Sequence, residues 1–146
     1  ILYGFGFNDS MNIGIRTSVD NISKPTIIEY KFNETLKYIK CGRKHSLFLT
    51  QNKRVYGCGS NMHGQLTSKY TNDNNSIKYL IDNIIDIQCS GYTSYFLNTN
   101  NTLYACGYNA YGQVGKKSFH SNDKLNIILK GKKIISVNCG FFHVGC

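Results

Sequence analysis

Residues 56–66 read Tyr56-Gly57-Cys58-Gly59-Ser60-Asn61-Met62-His63-Gly64-Gln65-Leu66. The first six positions recur as Tyr3-Gly4-Phe5-Gly6-Phe7-Asn8 and as Tyr104-Ala105-Cys106-Gly107-Tyr108-Asn109. A second motif repeats in step, as Cys41-Gly42-Arg43-Lys44-His45-Ser46, Cys89-Ser90-Gly91-Tyr92-Thr93-Ser94 and Cys139-Gly140-Phe141-Phe142-His143-Val144. Two motifs with one period near 50 residues indicate a repeat architecture of the propeller or array type. We therefore expect the chain to work as a surface, not as a catalytic pocket.

Each repeat contains four short apolar runs bounded by Gly, Asn and Ser, a pattern typical of β-strands. Four strands in about 50 residues is the content of one propeller blade. The sequence therefore predicts an all-β fold, a partial β-propeller of about three four-stranded blades, with one blade from each repeat. The predicted strands are 1–7, 26–30, 38–41 and 46–50, then 54–58, 77–81, 84–89 and 94–97, then 102–106, 125–129, 134–139 and 144.

The organisation predicted is a single repeat domain over 1–146, with repeats at about 1–53, 54–101 and 102–146. The chain begins inside one motif and ends just after another, so we expect it to be part of a larger propeller. An Asn-rich stretch at 71–76 is predicted to be a loop. The alternating glycines of the first motif, at Gly4, Gly6, Gly57 and Gly59, suit a strand at the crowded centre of the ring.

The net charge is +9 from 17 Lys and Arg against 8 Asp and Glu. This balance has two interpretations. The first is an acidic partner, such as nucleic acid, chromatin or an acidic protein face. The second is a soluble, Lys-rich surface with no specific partner. No apolar run approaches the roughly 20 residues that span a bilayer.

The six cysteines follow the repeats, since Cys41, Cys89 and Cys139 are equivalent, as are Cys58 and Cys106. No Cys-x-x-Cys occurs, which argues against zinc. A whole strand is predicted between the two cysteine positions of a blade, which puts a disulfide out of reach. We predict six buried thiols and a reducing, intracellular compartment.

Catalytic residues are not predicted, because none of the eight acidic residues recurs at an equivalent position. His45 and His143 are equivalent to each other, but Thr93 takes the same position in the middle repeat. A residue that exchanges with Thr is expected to hydrogen-bond a neighbouring loop rather than to act as a base or a metal ligand. No metal and no cofactor are predicted.

The two motifs together resemble the repeat of the regulator of chromosome condensation family. The first repeat departs from the family pattern, with Met11-Asn12-Ile13-Gly14 where Gly-Gln-Leu-Gly is expected. The resemblance covers essentially the whole chain and implies a seven-bladed β-propeller. The structural repeat residues that carry the resemblance are Gly57, Gly59, Asn61, Gly64, Gln65, Gly107, Asn109, Gly112 and Gln113.

The resemblance implies two functions in competition. The first is a protein-binding scaffold, nuclear or cytoplasmic. The alternative is a guanine-nucleotide exchange factor for a Ran-like small GTPase, docked on chromatin. In the family some histidines of the second motif lie toward the GTPase, which makes His45 and His143 candidate partner-binding residues, together with Arg43 and Lys44. The family's plant light sensor depends on Trp, which this chain lacks.

Overall fold

Twelve β-strands form the regular secondary structure of the computed structural model, which describes residues 1–67 and 77–146. The predicted loop at 71–76 lies outside the described residues. The strands are β1 (Tyr3–Phe7), β2 (Asn21–Ile27), β3 (Leu36–Cys41), β4 (His45–Thr50), β5 (Val55–Gly59), β6 (Lys78–Ile81), β7 (Ile84–Cys89), β8 (Thr93–Asn98), β9 (Leu103–Gly107), β10 (Asn122–Leu129), β11 (Asn138–Cys139) and β12 (Val144–Gly145). Each predicted strand has a counterpart, and β2 begins five residues before the predicted start.

The strands form antiparallel sheets that are out of phase with the sequence repeats. Two four-stranded sheets have the orders β3-β4-β5-β6 and β7-β8-β9-β10, and two-stranded sheets β1-β2 and β11-β12 stand at either end. Each complete sheet takes its first two strands from one repeat and its last two from the next. The all-β prediction is confirmed, and the assignment of one blade to each sequence repeat is corrected by half a repeat.

The larger of the two core clusters in the described residues lies between the two complete sheets, whose second strands are largely buried. All six residues of β4 are buried, and so are the first five of β8. Burial of each large apolar side chain contributes roughly 1.5–3 kcal/mol, so this sheet-to-sheet contact stabilises the fold. The shared core cluster consists of Leu47, Leu49, Val55, Leu66, Leu80, Ile84, Ile87, Phe96 and Cys106. The other cluster joins the second complete sheet to β11 and β12 and contains Tyr95, Leu97, Leu103, Ala105, Val114 and Val137.

The first strands of successive sheets lie side by side, β3 against β7 and β7 against β11. Here the Tyr38 hydroxyl approaches the Asp86 carboxylate to 2.7 Å. The Gly-rich strand β5 instead lies third in its sheet, between β4 and β6. The prediction that these glycines line the centre of the ring is therefore wrong. Gly57 is needed for a different close approach, since a Cβ there would lie 2.7 Å from Leu66 and 2.8 Å from Leu80.

The cysteines are all free, but they are not all buried. Cys58 and Cys106 are buried, while Cys41 and Cys146 are exposed, so the prediction of six buried thiols is wrong. Burial raises the pKa of Cys106 to about 12, which keeps that thiol protonated. The pairing register places Ser46 between Cys41 and Cys58, as the predicted intervening strand requires.

Candidate functional site

The loop after β5 is a double turn held by one asparagine. Gly64 N–H donates to Asn61 O (3.0 Å) and Thr67 N–H donates to Gly64 O (3.1 Å). The Asn61 side chain closes the loop, since its Nδ2 donates to Thr67 O (3.0 Å) and its Oδ1 accepts from Leu66 N–H (2.7 Å). An asparagine is suited to this position because one amide group both donates and accepts.

The same loop follows β9 and β1. Asn109 Oδ1 accepts from Val114 N–H (2.9 Å), as Asn8 Oδ1 does from Ile13 N–H (2.9 Å). The side-chain Oε1 of Gln65 accepts from His63 N–H, and that of Gln113 accepts from Tyr111 N–H. Each loop has a residue with positive φ at its tight turn, namely Gly64 (77°), Gly112 (75°) and Met11 (54°).

Each double turn lies on the following sheet. The Gln65 carbonyl accepts from Ser94 Oγ on β8 (2.6 Å). A Cβ at Gly64 would lie 2.3 Å from the Cα of Asp123, so the loop meets the next sheet at backbone distance. At the end of β9, Gly107 has φ 117° and its missing Cβ faces Tyr92 O at 2.3 Å. The contacts of Gln65 and Gly64 join neighbouring blades, whereas that of Gly107 lies within its own sheet.

His45 is an internal link between sheets. Its side chain has no exposed surface, and its Nε2 lies 2.9 Å from Ser94 Oγ. Burial lowers the pKa of His45 to about 4, so the imidazole is neutral. A partner cannot touch a side chain with zero exposure, and additional chain could only bury it further. The candidate partner-binding role of His45 is therefore corrected to a structural one.

Gly42 explains why the histidine fits. A Cβ at Gly42 would lie 2.2 Å from Cε1 of His45, so only glycine leaves room for the ring. Gly140 and His143 repeat this relationship at 2.1 Å, although His143 is exposed. The middle repeat carries Ser90 where the others carry glycine, since its partner there is the smaller Thr93.

The turns between first and second strands are linked from blade to blade by equivalent backbone groups. Arg43 N–H donates to Gly91 O (2.8 Å), and Gly91 N–H donates to Phe141 O (3.2 Å). These three residues occupy the same position of the second motif. The relay holds the three turns side by side, so their neighbouring side chains form one surface.

Arg43 and Lys44 lie at the first of these turns. Arg43 is exposed, and its guanidinium carbon lies 5.5 Å from the ring centroid of Tyr92. Lys44 Nζ forms an ion pair with Asp9 at 2.5 Å. The hydrogen bond from Lys44 holds the pKa of Asp9 below its ordinary value.

A continuous row of rings follows Arg43 across the turns and loops. We call it the aromatic ladder, and it consists of Tyr92, His63, Tyr108, Tyr111, Phe142 and Phe141. His63 lies 5.0 Å from both Tyr92 and Tyr108, measured between ring centroids. Tyr111 lies 6.2 Å from Tyr108 and 4.8 Å from Phe142, whose ring is 4.5 Å from that of Phe141.

The ladder is exposed at its far end. Tyr111 is 64% exposed, Phe141 47% and Phe142 46%, and the neighbouring Met62 is 87% exposed. Exposed large apolar side chains are unremarkable singly, whereas a contiguous row marks an interaction site. The sequence reasoning missed this site, although aromatic residues inside both repeated motifs were its signal.

At the other end of the strands, Glu34 forms a polar cluster. Its carboxylate accepts from Thr50 Oγ1 (2.7 Å), Arg54 Nη1 (2.8 Å) and the Tyr56 hydroxyl (3.0 Å). The hydrogen bond from Thr50 is the main reason that the pKa of Glu34 is lowered. Because both oxygens are engaged, the cluster fastens the chain before β3 to the sheet.

In residues 1–67 and 77–146, no three His, Cys, Asp or Glu side chains come together as metal ligands would. The same ranges contain no helix of the length and apolarity needed to cross a bilayer.

Comparison with known proteins agrees with the loop geometry. Two profiles described as "Regulator of chromosome condensation (RCC1) repeat" match the chain, one over residues 37–65 and 84–113, the other over residues 1–49 and 100–146. This chain belongs to the RCC1 repeat family. The matched ranges include the double turns after β1 and β9, the double turn after β5 as far as Gln65, and all three turns of the backbone relay.

Curated relatives match over shorter segments. The X-linked retinitis pigmentosa GTPase regulator is 39% identical over 75 residues in Homo sapiens, covering 51% of this chain and 7% of that protein. The Protein RCC2 homolog of Xenopus laevis is 38% identical over 65 residues, covering 44% of this chain and 12% of that protein. The matches thus span a small part of the relatives' length.

Solved structures establish the fold. The chain superimposes on yeast RCC1 (Prp20), solved bound to Kap60, with a TM-score of 0.82 and 18% identity, covering 97% of this chain and 37% of that chain. Human WBSCR16 gives a TM-score of 0.75 and 22% identity, covering 86% of this chain and 35% of that chain. The chain is an arc of an RCC1-type β-propeller.

Proposed function

We propose that this chain is part of an intracellular protein-binding propeller, in which residues 1–146 form a single repeat domain. We further propose that the aromatic ladder is its docking surface. The observation that carries the proposal is the unbroken series of ring contacts from Tyr92 to Phe141. Tyr, Phe, Met and Arg are the residues enriched at protein interfaces, and this face presents all four. The blades hold the rings in place before binding, which lowers the entropy cost of association.

Of the candidate residues, Arg43 and Lys44 adjoin the ladder, and His143 lies one position beyond Phe142. These three remain proposed contacts, whereas His45 acts only through the fold. The remaining blades of the propeller are proposed to come from the same chain or from another subunit.

The experiment is affinity capture with matched variants. Tyr111→Ser removes a ladder ring, and Tyr79→Ser is the control, since Tyr79 lies on outer strand β6 and contacts Tyr56 instead. Partners held by the wild type and the control should be lost from Tyr111→Ser. A partner set that both variants retain equally would show that the ladder is not the docking surface.

Nucleotide exchange on a Ran-like GTPase, with chromatin docking, is the second candidate. One observation favours it: the yeast Prp20p structure, similar in fold, was described with its binding properties to Gsp1p and histones. The test is nucleotide release from Ran with catalytic amounts of the protein. Acceleration that is lost in Tyr111→Ser would support exchange, and unchanged release would contradict it for this segment.

A further inference from the structure

We propose that the partner segment recognised by the aromatic ladder is an acidic peptide with an aromatic or apolar anchor. The inference rests on the proposed function and adds the chemistry of the partner. It begins from an asymmetry between equivalent positions. The position of Arg43 is taken by Gly91 and Phe141 in the following repeats, and that of Lys44 by Tyr92 and Phe142. The face is therefore basic at its first turn and aromatic at its last.

The basic end carries charge that the described residues do not neutralise. Arg43 contacts the Tyr92 ring, and no carboxylate of the described chain forms an ion pair with it. Lys116 and Lys117 add exposed positive charge at the other end of the ladder, in the loop after β9 that also carries Tyr111. A carboxylate-bearing segment would complement this charge, because Arg in particular binds carboxylates through paired hydrogen bonds.

One carboxylate already occupies this end of the face. Asp9 binds Lys44 at 2.5 Å and occupies the ammonium that would otherwise face a partner. The side chains of the pair are 31% and 24% exposed, so a competing carboxylate can reach them. Asp9 thus limits the basic end, and removing its charge should strengthen the binding of an acidic peptide.

The ring geometry favours a peptide over a nucleic acid. Nucleobases need free ring faces on which to stack. The rings of Tyr92 and Tyr108 are instead directed at His63, with interplanar angles of 61° and 65°. In a contact of this kind the edge of one ring covers a face of the other, which reduces the area on which a base could stack. The contacts from Arg43 to Phe142 measure 4.8–6.2 Å each, a path that at most about eight extended residues would span.

The test uses a fluorescent peptide of about twelve residues, long enough to span this path, with Glu at one end and Trp at the other. Its counterpart has Gln in place of every Glu, and a thymidine oligonucleotide of equal length is the third probe. We expect the acidic peptide to bind at least about tenfold more tightly than the Gln peptide at low salt, with the advantage shrinking as salt screens the charges.

Three variants locate the site. Arg43→Gln should weaken the acidic peptide about fivefold, and Asp9→Asn should strengthen it about twofold or more, since the change frees Lys44. Lys53→Gln is the matched control, because it removes one positive charge at the β4–β5 turn, the opposite end of the strands. It should leave binding within about twofold of wild type, as expected for a distant, screened charge.

The outcomes separate the two proposals. Equal binding of the acidic and Gln peptides, lost from both in Tyr111→Ser, would keep the ladder as a docking surface and overturn the acidic partner. Tighter binding of the oligonucleotide would overturn it in favour of nucleic acid. The acidic partner would also be overturned if Arg43→Gln or Tyr111→Ser left the affinity for the acidic peptide unchanged. The same holds if neither peptide binds at millimolar concentration.

Discussion

His45 and Ser94 form a buried hydrogen bond between the two complete sheets, with Nε2 and Oγ 2.9 Å apart. The Ser94 hydroxyl donates its proton to Gln65 O at 2.6 Å, so the N–H of this pair must belong to Nε2 of His45. Nδ1 is then an unprotonated acceptor, and it has no partner in the described structure. One serine thereby joins a strand and a loop of the first sheet to the second strand of the next.

Ser94→Ala should destabilise the fold by about 2–4 kcal/mol, because it leaves the buried N–H of His45 without a partner and Gln65 O with only the weak contact from Cys106 Sγ at 3.6 Å. The measurement is the midpoint of urea unfolding, recorded by circular dichroism. Ser118→Ala, at an exposed serine, is the control and should change stability by less than about 0.5 kcal/mol. If Ser94→Ala unfolds at the same midpoint as that control, the bond does not hold the sheets together.

His45 should make the fold sensitive to mild acid. Its pKa is about 4 in the folded chain and near 6.5 when unfolded, so between these values only the unfolded chain binds the proton. The free energy of unfolding should therefore fall as the pH drops through 6.5, by about 3 kcal/mol in total at pH 4, with no further contribution below. In His45→Gln an amide N–H replaces the imidazole N–H as donor, and the new side chain does not titrate in this range. The stability of the variant relative to wild type should therefore rise as the pH falls from 6.5 to 4. Parallel curves of unfolding free energy against pH would contradict the prediction.

The strands that end at a repeated motif could be predicted from the sequence, since Gly, Cys and Asn mark their limits in every copy. The start of β2 could not, because Pro25 and the polar residues around it lack apolar alternation. β2 has a free edge, where the missing N–H of a proline is tolerated. The motifs also do not predict which strand begins a sheet. Any four consecutive strands fit the same period, and only the hydrogen bonding shows which four pair in one sheet.

The aromatic ladder was hidden from repeat reasoning for a physical reason. Equivalent positions carry different side chains, such as His63 and Tyr111 in the double turns. Comparing copies therefore marks these positions as variable. Only the stacking of turns from successive blades brings the rings into contact. The close packing of His45 had a signal in the sequence, since glycine accompanies histidine in two copies of the motif and serine accompanies threonine in the third.

Gly42→Ser should be among the most damaging single changes, because its Cβ would lie 2.2 Å from the His45 ring. We expect a loss of about 3 kcal/mol, the upper end of the usual range for overpacking a closed core. Adding His45→Thr should recover part of this loss, since the double variant reproduces the Ser90 and Thr93 pair. Recovery should be incomplete, because Ser90 O would still lie 2.8 Å from the new Cβ. Denaturant midpoints of the wild type and the two variants check this, and a double variant no more stable than Gly42→Ser would refute the compensation.

Met11 offers the opposite case, a change that should stabilise. It holds φ 54° at the turn position that glycine occupies as Gly64 and Gly112 in the other loops. Met11→Gly should relieve strain of about 1–2 kcal/mol and lose part of it to the greater freedom of the unfolded chain. The expected net gain is up to about 1 kcal/mol, measured as a higher melting temperature. Gly64→Ala is the matched counterpart and should destabilise, because its Cβ would lie 2.3 Å from the backbone of Asp123. If Met11→Gly lowers the melting temperature as Gly64→Ala does, the positive φ of Met11 does not strain the fold.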